Sequence, residues 1–434
     1  MIHIVEAGET AAQIAARYGV SVERVIADNG LAYDLPLAVG QALVILMPAQ
    51  VYTVQAGDTL SNIAANTGTS VLRLLQLNPA LTERNTLLVG EQLTVRLNRS
   101  PNGIFSVLGY AYPFIESAVL NRALPFLTYL AVFSYGFSDD GSILTVNDAE
   151  LISAAYQYGT VPLMVLTAID ETGRFSSEKV SRVLNDPDFR QTVLENLIEQ
   201  MLTRGYGGLD VDFEYIPPTD EAAFLDFLEV AAELLHANGL ILTVALAPKT
   251  SADQRGLLYE AHNYPAIGQI ADLVFLMTYE WGYSYGPPMA VAPLNRVRQV
   301  ALYAQSSVPA NKIQLGIPNY GYDWPLPFVQ GTTRARSIGN EEAVTIAAQN
   351  RAEILFDETA ASPYFYYTKD GTEHAVWFED ARSVAQKFEL ANELGFIGIG
   401  YWNLMRPFRQ NWALLSARYT VRKNQTALLD KQTE

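Results

Sequence analysis

The stretch Gly207-Gly208-Leu209-Asp210-Val211-Asp212-Phe213-Glu214-Tyr215-Ile216 constrains this chain more than any other. Three carboxylates, Asp210, Asp212 and Glu214, alternate with Leu209, Val211 and Phe213. A period of two puts the acids on one face of a strand and the apolar side chains on the other. A solvent-facing strand has the same alternation, but the surroundings favour a buried one. Two glycines precede it, Pro217-Pro218 follow, and an amphipathic helical pattern from Glu221 to Asn238 leads to the next apolar run, Leu240 to Leu246. Strand, helix, strand is the unit of a parallel sheet, which is normally covered on both faces. In a closed (β/α)8 barrel the three acids line the bore and climb toward the C-terminal mouth, where barrel enzymes hold their sites. Glu214 then stands highest, with Asp212 about 7 Å below it by strand rise. Like charges at that separation, partly desolvated, raise the pKa of one carboxyl and keep a proton on it near neutral pH, as a general acid requires.

Further apolar runs recur with helical patterns between them. Strands are expected at Phe105 to Tyr110, Tyr129 to Ser134, Pro162 to Thr167, Leu209 to Tyr215, Leu240 to Leu246, Asp272 to Thr278, Ile313 to Asn319 and Phe396 to Trp402. Eight strands alternating with helices is the barrel count. The gap before the eighth is too long for one helix. It contains Tyr364 to Trp377, two β-rich runs around Asp370-Gly371, which predict a hairpin within a small α+β insertion at about 325–378. The polar segment Arg96 to Ile104, with Pro101 and Gly103, is the expected linker into a barrel spanning 99–424, and 425–434 is a polar tail expected to fray.

Before the linker the chain repeats itself. Val5-Glu6-Ala7-Gly8-Glu9-Thr10-Ala11 aligns with Val54-Gln55-Ala56-Gly57-Asp58-Thr59-Leu60, and the same offset carries Ile14-Ala15 onto Ile63-Ala64, Gly19 onto Gly68, Ser21 onto Ser70 and Asn29 onto Asn78. Each unit, 1–48 and 49–98, reads as strand, two helices, strand. Both resemble the LysM domain, a βααβ module that binds N-acetylglucosamine-containing glycans. The resemblance implies a groove between the loop after the first strand and the loop before the last. In the second copy that means Gly57, Asp58, Thr59 and Leu60 with Asn78 to Leu81, and in the first Gly8 to Ala11 with Asn29 to Ala32. The first copy departs from the pattern at Glu9 and Gly30. Gly, Asp and Thr at these places also make turns and N-caps.

Composition narrows the chemistry. The hydrophobic content of 49% and charged content of 17% describe a globular protein. A net charge of −17 argues against nucleic acid or an anionic membrane as partner. There is no cysteine, so thiolate chemistry and disulfides are excluded, and His3, His236, His262 and His374 are too scattered to suggest a zinc site. His236 and His374 read as surface residues. No metal or other cofactor is expected, and a monomer is the default. The N-terminus lacks the basic and apolar regions of a signal peptide, and no apolar run reaches membrane-spanning length.

The Gly-Leu-Asp-Val-Asp-Phe-Glu stretch resembles the catalytic strand of glycoside hydrolase family 18, Asp-Gly-x-Asp-x-Asp-x-Glu, with Gly207 in place of the first Asp. Met277-Thr278-Tyr279, Gly316-Ile317-Pro318-Asn319-Tyr320-Gly321 and Gly400-Tyr401-Trp402 extend the resemblance around the barrel. Leu166-Thr167-Ala168 stands where many chitinases have Ser-x-Gly-Gly. With two LysM units in front, Ala247-Pro248-Lys249 and Tyr279-Glu280-Trp281-Gly282, the whole is most similar to the spore cortex-lytic N-acetylglucosaminidases, which act on cortex peptidoglycan in the spore envelope during germination. The resemblance implies substrate-assisted hydrolysis with retention. Glu214 is the implied acid and base, Asp212 orients the 2-acetamido group, and Asp210 supports Asp212 from below. Tyr279 donates to the acetamide oxygen, Trp402 forms the floor under the sugar, and Glu280 faces the cleft. Tyr110, Tyr320, Asp323 and Trp324 are expected on loops that could meet further sugars. Each aromatic has a plainer reading as packing at a strand end. A chitinase and a non-catalytic glycan-binding barrel remain as alternatives, the latter disfavoured by the presence of Glu214.

Overall fold

The computed structural model describes residues 1–82, 84, 86–169 and 176–423; the expected tail, 425–434, lies outside them. Eight parallel strands close on themselves: β1 (Ile104–Ala111), β2 (Tyr129–Phe137), β3 (Val161–Leu166), β4 (Gly208–Val211), β5 (Ile241–Leu246), β6 (Leu273–Leu276), β7 (Ile313–Pro318) and β8 (Gly398–Trp402). β8 pairs with β1 through Gly398↔Ser106, and β1 with β2 through Leu108↔Tyr129, which completes the ring. Where the barrel closes, a Cβ on Gly398 would fall 1.7 Å from the Ser106 carbonyl oxygen, so only glycine fits there.

Alternation decides what faces where. On β4, Leu209 and Val211, followed by Phe213, join the large apolar layer between strands and helices. Asp210 points the other way, into a bore filled by Leu108, Tyr110, Ala131, Leu163, Val165, Ala245 and Phe275. β4 is shorter than its pattern suggests. The last parallel bond in line is Asp212 N–H to Leu166 O at 3.0 Å, and β3 ends at Leu166. On that side β4 has lost its partner, while β5 runs on to Leu246; past Val211 the ladder ends and Asp212 to Glu214 continue toward the mouth. At Gly207, where the family pattern has Asp, a Cβ would lie 2.2 Å from Val161 Cγ1.

The insertion is a five-stranded antiparallel sheet backed by helix Asn340–Asn350. It begins at Gly321, where Gly321–Pro325 pairs with Thr372–Trp377. The hairpin Ser362–Lys369 and Thr372–Trp377 turns on Asp370 and Gly371, both at positive φ (50° and 78°), as Asp-Gly hairpins do.

Each N-terminal unit pairs its two strands antiparallel, Ile2–Ile4 with Ala42–Val44 and Pro48–Thr53 with Gln92–Leu97. Between them lie α1 (Ala11–Tyr18) and α2 (Val22–Asn29), then α3 (Leu60–Thr67) and α4 (Val71–Leu77). Thr10 and Thr59 cap α1 and α3, and Gly19 and Gly68 end them in the left-handed conformation. Both units lie along the last barrel helix, α5 (Arg409–Arg418). In the first, Gln410 Nε2 donates to Asn29 Oδ1 (3.2 Å) and Ala42 O (2.6 Å). In the second, Arg73 donates to Ser416 O (3.0 Å) and Gln76 to Pro125 O (2.9 Å).

Candidate active site

The mouth of the barrel holds a cleft of about 560 Å³ bordered by Asp212, Glu214, Tyr279, Glu280 and Trp402. Among the described residues three carboxylates line it, and no Lys, Arg or His does. Asp210 is fully buried beneath, accepting hydrogen bonds from Tyr110 OH (2.8 Å) and from Thr243 Oγ1. Burial raises its pKa to about 6 against the pull of those two donors. Asp212 is also buried, and its Oδ1 has no partner among the described residues. Burial first, then the charges of Glu214 and Asp210, push its pKa well up. A buried acceptor without a donor is costly unless a ligand or water meets it.

Glu214 sits above, half-buried, its pKa raised by burial and then by the charge of Glu280. Glu280 borders the cleft at the insertion side, where Tyr320 OH and, at 2.9 Å, Tyr322 OH donate to its Oε1. The residue as a whole is exposed, but its carboxyl end is hemmed in by those phenols, and that desolvation raises its pKa. Tyr215 and Glu280 both have left-handed backbones (φ 56° and 66°), strain of the kind that persists where the surroundings over-determine a residue. Burial and the surrounding carboxylates hold the Tyr279 hydroxyl protonated, so it remains a donor.

Trp402, at the end of β8, packs edge-on against Phe133 (4.8 Å between ring centres), Tyr110 (5.7 Å) and Tyr112 (6.2 Å). It therefore does both things the sequence allowed, closing the bore and presenting an apolar surface to the cleft. Tyr112, Phe133, Tyr215, Tyr259 and Tyr283 also border the cleft. Nothing in the sequence separates them from core aromatics except that several lie just past a strand end. Met277, which reads as core, is packed on the bore and lines the cleft as well.

Several expected contacts lie elsewhere. Tyr110 is on β1 and buried beside Asp210, so it supports an acid and does not meet a sugar. Tyr320 is buried against Glu280. Asp323 and Trp324 are on the first strand of the insertion and buried, Asp323 bonded to Tyr367 OH and His374 Nδ1 (both 2.8 Å) and Trp324 to Gly286 O (2.8 Å). His374 is accordingly not a free surface residue. Asp323 and Trp324 were expected on a loop ahead of an insertion starting at about 325, but its first strand begins at Gly321 and pairs across the insertion.

In the N-terminal units, Gly57 and Thr59 are exposed. Asp58 accepts from Gln55 N–H (2.7 Å) and Tyr52 OH (2.9 Å), and Thr59 caps α3. Asn78 is buried, its amide bonded to Leu74 O, Thr94 O and Thr94 N–H, all at 2.8 Å. Asn29 makes the equivalent bonds to Val25 O, Val44 O and Val44 N–H. Both asparagines staple helix to strand, so Asn78 is not available to a glycan.

Among the described residues no group of three or more His, Asp or Glu is arranged to hold a metal ion. The arrangement instead offers a proton-holding carboxyl, a second carboxylate with an unmet acceptor, a phenol donor and an aromatic surface.

Comparison with known proteins agrees with this chemistry. Residues 124–406 match Glycosyl hydrolases family 18, and residues 3–46 and 52–96 each match the LysM domain. The cortical fragment-lytic enzyme of Bacillus subtilis (strain 168) is 45% identical over 303 residues, 70% of either chain. That of Bacillus anthracis is 39% identical over 98% of this chain and 100% of its own. The crystal structure of the Bacillus cereus spore cortex-lytic enzyme SleL superposes with a TM-score of 0.83 at 37% identity, covering 98% of this chain and 99% of that one. A chitinase from Chromobacterium violaceum reaches 0.66 at 26% identity over 72% of this chain and 98% of its own.

Proposed function

The chain belongs to family 18 of the glycosyl hydrolases, and from that premise we propose that it is a retaining β-N-acetylglucosaminidase of spore cortex peptidoglycan, acting in the spore envelope at germination. The observation that carries this reading is the end-to-end likeness to cortical fragment-lytic enzymes, both LysM units included. Chitinases match over the barrel alone and at lower identity. N-acetylglucosamine-containing glycans are the ligands that LysM units and this barrel family imply.

In the proposed mechanism Glu214 protonates the leaving glycosidic oxygen, a role suited to a carboxyl whose pKa is raised by burial and by Glu280. The 2-acetamido oxygen of the bound sugar attacks its own C1, and the glycosidic bond breaks to leave an oxazolinium ion. Asp212 Oδ1, unmet among the described residues, accepts the acetamide N–H and balances the developing positive charge. Tyr279 donates to the acetamide oxygen, and Trp402 underlies the ring. Water, deprotonated by Glu214, then opens the oxazolinium from the face the aglycone left, giving retention. Asp210, neutral or charged, holds the floor beneath Asp212.

Digestion of purified cortical and vegetative peptidoglycan by wild type and Glu214→Gln, with fragments reduced by borohydride and weighed by mass spectrometry, tests this. Reduced N-acetylglucosamine ends from cortex, lost in the variant by a factor of about 10³ or more, are expected. Undiminished activity in the variant would sink the mechanism, and faster release from chitin oligomers than from cortex would favour the chitinase reading.

A further inference from the structure

A hollow of about 640 Å³ lies where the second LysM unit meets the base of the barrel, among Arg73, Arg96, Arg99, Gln50, Thr69 and Asn98. Among the described residues no Asp or Glu lines it, although the chain carries 46 acids against 29 bases. Elsewhere arginines find carboxylates: Arg17 with Glu9, Arg24 with Asp28, Arg190 with Asp226, Arg298 with Glu393, Arg409 with Glu341. Among the described residues, none of the three arginines in the hollow has a carboxylate within ion-pair distance. Arg73 donates only to neutral acceptors, Ser416 O (3.0 Å) and Gln76 Oε1 (3.3 Å), and Arg99 to Asn102 Oδ1 (3.2 Å). Burial works against the charge of Arg73, and no anion among the described residues is paired with it. Three arginines lining one hollow, with neutral hydrogen-bonding neighbours, suit carboxylates, which guanidinium groups can hold bidentately, and the volume suits a short peptide better than a single ion.

The position identifies the source. The hollow includes Thr67, Gly68 and Thr69, at the C-terminal end of α3, whereas Gly57 to Thr59 precede its N-terminal end. The eight residues of α3 separate the two by about 12 Å. A tetrapeptide hanging from a sugar held at the first end reaches about 13 Å.

We propose that this hollow is a second binding site, which takes the carboxylate-bearing peptide side chain of a peptidoglycan strand whose glycan lies at the Gly57 end of the same unit. The inference rests on peptidoglycan being the polymer. It adds a grip on the peptide to the grip on the glycan, and two linked contacts retain an insoluble substrate better than either alone.

The test titrates the full chain with a fluorescent tetrapeptide bearing free side-chain and terminal carboxylates, with the same peptide as carboxamides, and with inorganic phosphate as competitor. The acid peptide is expected to bind saturably and more weakly as salt rises, and the double variant Arg96→Glu/Arg99→Glu to bind it at least about tenfold more weakly. Hydrolysis of a soluble N-acetylglucosamine oligomer should be unchanged in that variant. Arg73→Gln should act in the same direction; because it also loses the Ser416 bond, the exposed pair decides if it misfolds. No saturable binding, equal binding of the carboxamide, displacement by phosphate as readily as by peptide, or an unaffected double variant would each overturn the proposal. A chain that digests cortex without binding the peptide loses this site alone. One that binds the peptide but releases no cortex fragments keeps the site and loses the proposed activity.

Discussion

Asp210 has no solvent contact, and its pKa moves from 3.8 to about 6 because burial outweighs the hydrogen bonds of Tyr110 and Thr243. The folded state then binds a proton that the unfolded chain releases between about pH 4 and 6, so this group makes stability fall as pH rises through that window. The full effect is of order 3 kcal/mol. Asp210→Asn should flatten the fall, with wild type and variant compared by denaturant unfolding at pH 4 and pH 7; an unchanged slope would mean that Asp210 is not the group responsible. Glu280 acts on Glu214 through charge. Removing that charge as Glu280→Gln lowers the pKa of Glu214, so the alkaline limb of kcat/KM should move to lower pH, read on a soluble oligomer. A profile that keeps its limb while KM alone rises would make Glu280 a sugar contact and not a modulator of the acid.

At the scale of elements, the asparagine staples do in each LysM unit what a longer sheet would otherwise do. Each unit has only two strands, and Asn78 ties α4 to the second through three buried hydrogen bonds. Asn78→Ala should cost about 1–3 kcal/mol, because Thr94 N–H and the carbonyls of Leu74 and Thr94 lose their buried partner. Faster amide exchange confined to residues 49–98, with oligomer hydrolysis intact, is the expected signature; exchange spreading into the barrel would show that the unit and the barrel unfold together. The offset of 49 residues exposed the repeat, and Gly-Asp-Thr marked the turn and cap, but sequence could not distinguish Asn78 as staple from Asn78 as sugar ligand. Asparagine serves either purpose, and only its burial between helix and strand decides.

Over the whole molecule, the first LysM unit is clasped by the barrel. Gly40, at φ 78°, lies so close to the insertion that a Cβ would fall 1.9 Å from Ile354 O, and Ile354 N–H donates to Val39 O at 2.8 Å. Ala38 is part of the same apolar cluster as Ile338, Ala343 and Phe365, and Arg409 pairs with Glu341 beneath Gly30. Removing residues 1–48 should therefore lower the melting temperature of what remains by several degrees, because apolar surface of the insertion becomes exposed. Calorimetry of the truncated and full chains checks this; an unchanged transition would mean that the contact adds nothing to stability.

The sequence by itself determined the local order of the chain: eight apolar runs in strand-helix alternation, two repeated units, a hairpin at Asp370-Gly371, and three acids on the inner face of β4. These follow from period, spacing and turn chemistry, which are properties of neighbours along the chain. Tertiary structure alone decided that β4 stops at Val211, level with the end of β3 at Leu166, because strand length depends on what pairs alongside it. It also decided that Tyr110 bonds to Asp210 and Tyr320 to Glu280, that Tyr112 and Phe133 join the cleft, and that Arg73, Arg96 and Arg99 line one hollow. An aromatic or an arginine looks the same in sequence whether it packs, supports or binds. What separates these roles is which residues distant along the chain arrive beside it, and that is settled only when the barrel closes and the LysM units dock.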